Sequence, residues 1–357
     1  MTEVPGLDHA GLTRWLADAH PDLADGPLTA EVITGGRSNL TYRVDGARLP
    51  LVLRRPPLGH VLSSAHDMRR EHRVISALAG SRVPVPRTID VVDDTADQAV
   101  TGTVFFVMER VDGTVLARPE QNAAYTPEGL HGLGLALAET LADLHAVDPA
   151  AVELADFGRP AGYLERQLAT WRRQYDASRS RELPVLDDLQ DALATRLPAD
   201  HGRAGIVHGD YRLDNAIVAG PAHAPRLAAV LDWEMATLGD PLVDLGMLGL
   251  YWDINAVSDG HGATSAVTAG AGYPEFDELV DTYAARSGTS LPQLGWYRAF
   301  AAYKLAVILE GIHYRYRAGD TVGDGFAVIG DLVAPLAADG LAHTARTTTG
   351  ATDGTVA

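Results

Sequence analysis

The residues of this chain whose types and spacing could do chemistry fall in two short stretches. HGDYRLDN occupies positions 208–215, and LDWE occupies 231–234 at the end of an apolar run, LAAVL. Asp210 comes first, Asn215 follows five positions later, and Asp232 seventeen after that. A loop carboxylate that can orient a hydroxyl and take its proton, then an amide and a second carboxylate that can ligate magnesium, is the order and spacing of a phosphoryl-transfer centre. Magnesium takes few protein oxygens and fills its shell with phosphate and water, which suits so sparse a ligand set. A Gly-Asp pair alone reads as a turn. With Asn215 and Asp232 in register, Asp210 becomes the expected catalytic base. Arg212 is placed either to stabilise charge on the transferred group or simply to lie exposed on the surface. His208 is expected to hold the loop by hydrogen bonding, and Asp214 to be structural or solvent-facing.

A nucleotide must be gripped elsewhere. The strand-like LPLVLR ends in Arg54, at the place of the phosphate-contacting lysine in V-A-I-K-type strands. Arg54 is expected to contact the α- and β-phosphates and to pair with Glu71 of RREHRVISAL, which shares the apolar face of its helix. Arg for Lys is not a neutral exchange, because guanidinium is larger and bidentate. The chain has one lysine, Lys304, so none is free for this position. Arg55 is the alternative clamp. The hairpin TGGRSNLTY offers Gly35, Gly36, Ser38 and Asn39, whose backbone N–H groups and hydroxyl could cover phosphates. FFVMERVDG offers the Glu109 carbonyl and the Val111 N–H to a purine. No G-x-x-x-x-G-K-[ST] occurs, which excludes a P-loop.

The spacing after Asp232 narrows the acceptor. GDPLVDLG begins at Gly239, seven positions on, which leaves no room for a long phosphorylatable activation segment. Trp233 and Glu234 stand where a protein kinase has a mobile Phe-Gly pair. The acceptor is therefore expected to be a small molecule. Asp240 and Asp244 are expected to cap or brace the following helix and the catalytic loop. Acceptor contacts are sought among Tyr163, Trp171, Trp252, Asp253, Tyr314 and Arg317, with Glu275, Asp277 and Glu278 as further carboxylates for a cationic acceptor.

These residues need a scaffold. Residues 8–24 read as an amphipathic helix, followed by about five strand-like runs and one helix with an apolar stripe at Met68, Val74, Ile75 and Leu78. This predicts an α+β chain: a small β-rich lobe over 1–110 with one main helix, and a larger helical lobe over 111–340. In the second lobe helices are expected at 126–147, 163–179, 183–197, 240–252, 275–287, 294–318 and 324–338, interrupted by the catalytic segment 204–234. The small, polar residues of 341–357 are expected to be a disordered tail.

Composition sets outer bounds. The formal net charge is −18, which disfavours a broad grip on nucleic acid or an anionic membrane. The absence of cysteine excludes disulfides and Cys-ligated zinc and points to a reducing compartment. The N-terminal residues lack a cationic start and a continuous apolar run, so no secretory signal is expected, and no stretch approaches the ~18 apolar residues of a membrane span. A cytoplasmic location is the resulting expectation, with oligomeric state open.

HGDYRLDN, LDWEMATLGDPLVDLG, LADLHAVDP and FVMERVDG together resemble the aminoglycoside phosphotransferase family, a branch of the protein-kinase-like bilobal fold. The resemblance runs from about residue 28 to about residue 320. LVLRRPP and LDWE are most similar to the kinase-like domains fused to acyl-CoA dehydrogenases. The resemblance implies nucleotide bound between an N-lobe and a C-lobe, with ATP or GTP as donor and Mg2+ as cofactor. It also implies direct transfer of the γ-phosphate to a hydroxyl of an antibiotic or metabolite. Two alternatives stand beside it: a nucleotide-binding pseudokinase with a regulatory role, and a kinase of a hydroxyacyl-type metabolite rather than an antibiotic.

Overall fold

The computed structural model describes residues 4–33, 39–58, 67–199, 204–258, 265–291, 293–319 and 328–346. The chain divides into two compact units, one formed by residues 1–113 with 228–236 and the other by 114–227 with 237–357. The architecture is α+β, with an antiparallel sheet in the first unit and mostly helix in the second.

The first unit opens with α1 (His9–Ala19), capped by the Asp8 carboxylate, which accepts from the Ala10 N–H at 2.9 Å. The helix expected over 8–24 stops at Ala19, because Pro21 restricts the residue before it to extended backbone. Strands β1 (Ala24–Val32), β2 (Leu40–Ala47), β3 (Leu51–Arg55), β4 (Thr88–Asp93) and β5 (Val104–Glu109) form one sheet in the order β1-β2-β3-β5-β4. Between β3 and β4 lies α2 (Met68–Leu78).

Strand periodicity then sorts the side chains. Leu51 and Leu53 of β3, with Tyr42, Val44, Phe105 and Val107 from its neighbours, join Leu12 and Leu16 of α1 in one core. The alternate residues, Val52 and Arg54, turn to the other face. There α2 buries Met68, Val74, Ile75 and Leu78, each side chain stabilising the fold by about 1.5–3 kcal/mol. Glu71 lies on the same buried stripe.

The second unit contains α3 (Pro127–His145), α4 (Tyr163–Ser178), α5 (Pro184–Thr195), α6 (Leu242–Val257), α7 (Phe276–Ser287), α8 (Leu294–Ala318) and α9 (Val333–Arg346). Short strands interrupt the helices: β6 (Thr114–Val115), β7 (Gly205–Val207), β8 (Ala216–Ala219), β9 (Arg226–Val230) and β10 (Thr237–Gly239). β7 pairs antiparallel with β10, and β6 with β8. The chain leaves the second unit for the first within β9 and returns just before β10. Asp232, expected in the larger lobe, therefore belongs to the smaller unit.

Helix α6 is apolar on almost every side and is buried over most of its length, as a central helix should be. Helices α6, α4, α5 and α9 pack against α8. The last helix, expected over 324–338, is instead a 3-10 turn at Ile329–Leu332 running into α9. The expected tail is corrected over 341–346, where α9 continues to Arg346 and buries His343 and Thr344, whose carbonyl accepts from Arg196 at 2.6 Å; 347–357 lie outside the described residues. Among the described residues no helix is long and apolar enough to cross a membrane.

Candidate active site

In the first unit the site is built around one buried arginine. β3 delivers Arg54 to the α2 face, where its Nε lies 3.1 Å from Glu71 Oε2 and its Nη2 lies 2.6 Å from Asp232 Oδ1 and 3.7 Å from Glu234 Oε2. The Arg54–Glu71 pairing expected from the sequence is thus present. Arg55, one residue on, points to the α1 face and donates to the carbonyls of Gly6 (2.7 Å), Thr101 (3.0 Å) and Pro56 (3.0 Å). Strand alternation thus commits Arg55 to the fold, on the opposite face from Arg54.

Burial sets the electrostatics of this cluster. It pushes the Glu71 carboxyl up to about 7, against the pull of Arg54 and with repulsion from Asp232 and Glu234 adding to it. Burial also works against the charge of Arg54, but Glu71 and Asp232 more than offset it and hold the guanidinium above its ordinary value.

The segment after β9 is shaped by Asp232 itself, a non-glycine residue in the left-handed region (φ 64°, ψ 57°). Aspartate tolerates that conformation better than most residues, though at a cost in strain. Trp233 fixes the turn from beneath, fully buried, with its Nε1 donating to the Val230 carbonyl at 3.0 Å. A single 3-10 turn, Trp233–Met235, and β10 fill the interval up to Gly239. No extended activation segment intervenes.

The remaining first-unit expectations divide. Asn39 is buried and its Nδ2 donates to Glu234 Oε2 at 2.8 Å, tying the start of β2 to the Asp232 turn. Gly35, Gly36 and Ser38 lie outside the described residues. Glu109 ends β5; its N–H donates to Arg87 O at 2.8 Å and its carboxylate pairs with Arg87 Nε at 2.9 Å. Val111 follows in the extended stretch that leads out of the unit.

In the second unit the HGDYRLDN loop leaves β7 and is held from several sides. Asn215 Nδ2 donates to the Asp210 carbonyl (2.8 Å) and to Asp210 Oδ2 (2.9 Å). This fixes the amide orientation and leaves Asn215 Oδ1 as the oxygen for another partner. Asp244 accepts the N–H groups of His208 (2.6 Å) and Gly209 (2.8 Å), so it braces the loop. Burial pushes the Asp244 carboxyl up, but His145, His208 and the Gly209 N–H together hold it below the ordinary carboxylate range. His208 is fully buried and its Nδ1 accepts from the Asp210 N–H at 3.2 Å, the loop-holding role expected of it. Asp240 caps α6 by accepting from the Leu242 N–H at 3.0 Å and takes a second bond from the Tyr297 hydroxyl at 2.7 Å.

Arg212 is only partly exposed. Its Nη2 lies 2.8 Å from Asp214, its Nε lies 3.6 Å from Asp210, and its guanidinium stacks 4.3 Å over the Tyr251 ring. Asp214 is thus not solvent-facing: burial pushes its carboxyl up and Arg212 draws it back. Sequence reading missed Tyr251, whose ring supports the Arg212 guanidinium beside Asp210. It also missed a role for Lys304, whose Nζ donates to the Gly209 carbonyl at 2.6 Å. The solitary lysine was the available signal.

The residues considered for acceptor contact are mostly committed elsewhere. Tyr163, Trp171 and Trp252 are buried, Asp253 pairs with Arg298 at 2.5 Å, and Glu278 pairs with His131 at 3.1 Å. Glu275 and Asp277 lie at the start of α7, and Tyr314 and Arg317 are exposed on the last turns of α8. Among the described residues no group of three or more His, Asp or Glu side chains forms a ready-made cation site. Taken separately, Asp232 in the first unit offers a carboxylate and Asn215 in the second an amide oxygen, both hard donors. They fit magnesium that brings phosphate oxygens and water of its own.

Comparison with known proteins agrees with this chemistry. The profile described as "Phosphotransferase enzyme family" (APH) matches residues 29–298. The chicken (Gallus gallus) protein named acyl-CoA dehydrogenase family member 11 is 34% identical over 342 residues, covering 94% of this chain and 43% of its own length. The chain thus spans less than half of that relative. A solved Ralstonia eutropha structure, described as a candidate aminoglycoside phosphotransferase, superposes with a TM-score of 0.81 at 30% identity, covering 95% of this chain and 99% of that one. The GDP complex of aminoglycoside 2'-phosphotransferase-IIIa shares the fold at TM-score 0.63 and 16% identity, covering 93% and 99%. This chain belongs to the phosphotransferase enzyme (APH) family and has its protein-kinase-like fold.

Proposed function

We propose that the protein is a small-molecule kinase that moves the γ-phosphate of ATP or GTP directly onto a hydroxyl of its acceptor. The observation that carries this reading is the Asp210–Asn215 pair, a carboxylate fixed by a doubly donating amide on a loop whose preceding N–H groups are all held. Asp210 orients the acceptor hydroxyl and takes its proton as the new O–P bond forms and the bond to the leaving diphosphate breaks. Arg212 lends positive charge beside Asp210. Arg54, held by Glu71, contacts the nucleotide phosphates, and Asn39 lies beside them. The Glu109 carbonyl and Val111 N–H take the purine edge. Asn215 and Asp232 would hold Mg2+, which neutralises charge on the bridging phosphates when bound. The support for a nucleotide donor is the GDP complex of a protein with the same fold.

The acceptor class has one further pointer. The relative covering 94% of this chain carries an acyl-CoA dehydrogenase name, which favours a hydroxyacyl metabolite over an antibiotic as the acceptor. The test is a panel of hydroxyacyl thioesters, free hydroxy acids, aminoglycosides and macrolides incubated with ATP or GTP and Mg2+, with nucleoside diphosphate release as the readout. We expect acceptor-stimulated release that Asp210→Asn abolishes. Equal release by wild type and variant on every acceptor would leave a nucleotide-binding protein without transfer.

A further inference from the structure

Lys304 is the chain's only lysine among 29 Lys and Arg residues. A composition that uses arginine everywhere else has kept an ammonium at one place, and that place is directly behind the catalytic loop. Lys304 projects from α8, is 8% exposed, and donates from Nζ to the Gly209 carbonyl at 2.6 Å. That carbonyl is one end of the peptide unit that carries Asp210. The other end, the Asp210 N–H, donates to His208 Nδ1 at 3.2 Å. Gly209 itself sits at φ +88°, in a region glycine enters about as readily as φ < 0, so the residue alone does not fix the orientation of the unit.

Shape explains why the cation is lysine. A cavity of about 20 Å³ beside the ammonium is lined by Tyr163, Gln167, Gly209, Asp244, Phe300 and Lys304. That is room for about one water molecule. It is not room for the larger planar guanidinium, whose donors are fixed in a fork. The Trp171 ring closes another side, 5.6 Å from Nζ.

We propose that Lys304 is a positioning residue for phosphoryl transfer: its ammonium grips the Gly209 carbonyl, fixes the plane of the Gly209–Asp210 peptide, and so aims the Asp210 carboxylate. Burial lowers the basicity of Lys304, and the charges of Asp210 and Asp244 act to keep its proton in place, so the same two carboxylates that flank the loop favour the gripping form. The proposal rests on the reading of Asp210 as the base.

Two readouts separate the proposal from that reading. One is Mg2+-dependent hydrolysis of ATP with water as acceptor; the other is amide hydrogen exchange over residues 205–215, which needs no activity. For Lys304→Met we expect kcat to fall roughly 100-fold, the scale of a misplacement near 1 Å, with the ATP KM within about three-fold of wild type. Exchange should accelerate at residues 208–210 and stay at the wild-type rate in α2 and β3. Lys304→Arg should behave like Lys304→Met despite its charge. The chain has no cysteine, so Lys304→Cys carries a single thiol. Aminoethylation of that thiol restores an ammonium and should recover at least about ten-fold of the lost kcat, whereas carbamidomethylation should recover none. This pair also decides the matter if Lys304→Met does not fold.

Turnover of Lys304→Met within about three-fold of wild type, full activity of Lys304→Arg, or equal activity of the two alkylated forms would overturn the proposal. If Asp210→Asn leaves turnover unchanged, the base reading fails on its own. The positioning claim then stands or falls on the exchange at residues 208–210, and wild-type exchange there in Lys304→Met sinks it.

Discussion

The first-unit cluster and the second-unit loop solve opposite electrostatic problems. Around Arg54 the first unit gathers three carboxylates, Glu71, Asp232 and Glu234, within 3.7 Å of one guanidinium. Around Asp210 the second unit meets its carboxylates with several partners: Arg212 lies beside both Asp214 and Asp210, Asn215 donates to Asp210, and backbone N–H groups with His145 meet Asp244. The cluster has more negative charge than Arg54 can balance, which suits a place that must accept a divalent cation along with a polyanion. The loop is already satisfied and has little to rearrange, which suits a group that must be aimed before its substrate arrives.

The largest effects should expose that contrast. Asp210→Asn removes the proton acceptor from a finished geometry. We expect a loss in kcat of about 1,000-fold, which raising Mg2+ does not relieve, measured by nucleoside diphosphate release. Asp232→Ala removes a ligand from a cluster that remains acidic through Glu71 and Glu234. We expect a loss of about 100-fold at low Mg2+ that shrinks as Mg2+ is raised. The same Mg2+ response in both variants would erase the distinction between the two regions.

A smaller effect follows for Arg54→Ala. Loss of the phosphate contact should raise the nucleotide KM about ten-fold, the worth of one charge-assisted hydrogen bond, with a lesser change in kcat. An unchanged KM would remove Arg54 from the clamp. Arg55 could not take its place, because it points to the opposite face of the sheet and its Nε and Nη1 already donate to backbone carbonyls.

What could be read from the sequence follows from how each residue acts. The contact between Asp210 and Asn215 was legible because the two lie five positions apart on one short loop. Glu71 was legible because helical periodicity put a charged residue on an apolar stripe. Helix α8 was legible at both ends, since its residues sit between breakers at Pro292 and Gly319. Tyr251 and Lys304 were not, because they reach the loop from helices 39 and 95 positions away in sequence from their partners Arg212 and Gly209, and no local pattern encodes that contact. The α9 extension was misread because small polar residues look the same in a frayed tail as in a helix end that packs against a neighbour.

The smallest expected effect concerns stability and again belongs to the first unit. In the folded protein Glu71 is pushed up to about 7 by burial, from an ordinary value of 4.5. Between those two values the folded state keeps a proton that the unfolded chain has released. The stability attributable to this group is therefore greatest below pH 4.5, falls as pH rises toward 7, and levels off above it. Glu71→Gln keeps the size of the side chain and removes the titration. Urea midpoints measured from pH 5 to 8 should decline more steeply in the wild type than in Glu71→Gln. The variant should become the more stable of the two at the alkaline end, because it no longer buries a charge there, with relief of the repulsion from Asp232 and Glu234 adding to this. Asp210→Asn, made in the loop whose charges are already matched, should leave that slope as it is in the wild type. Identical slopes in the wild type and Glu71→Gln would mean that Arg54 keeps Glu71 ionised across the range, and the excess of negative charge around Arg54 would then persist at every pH tested.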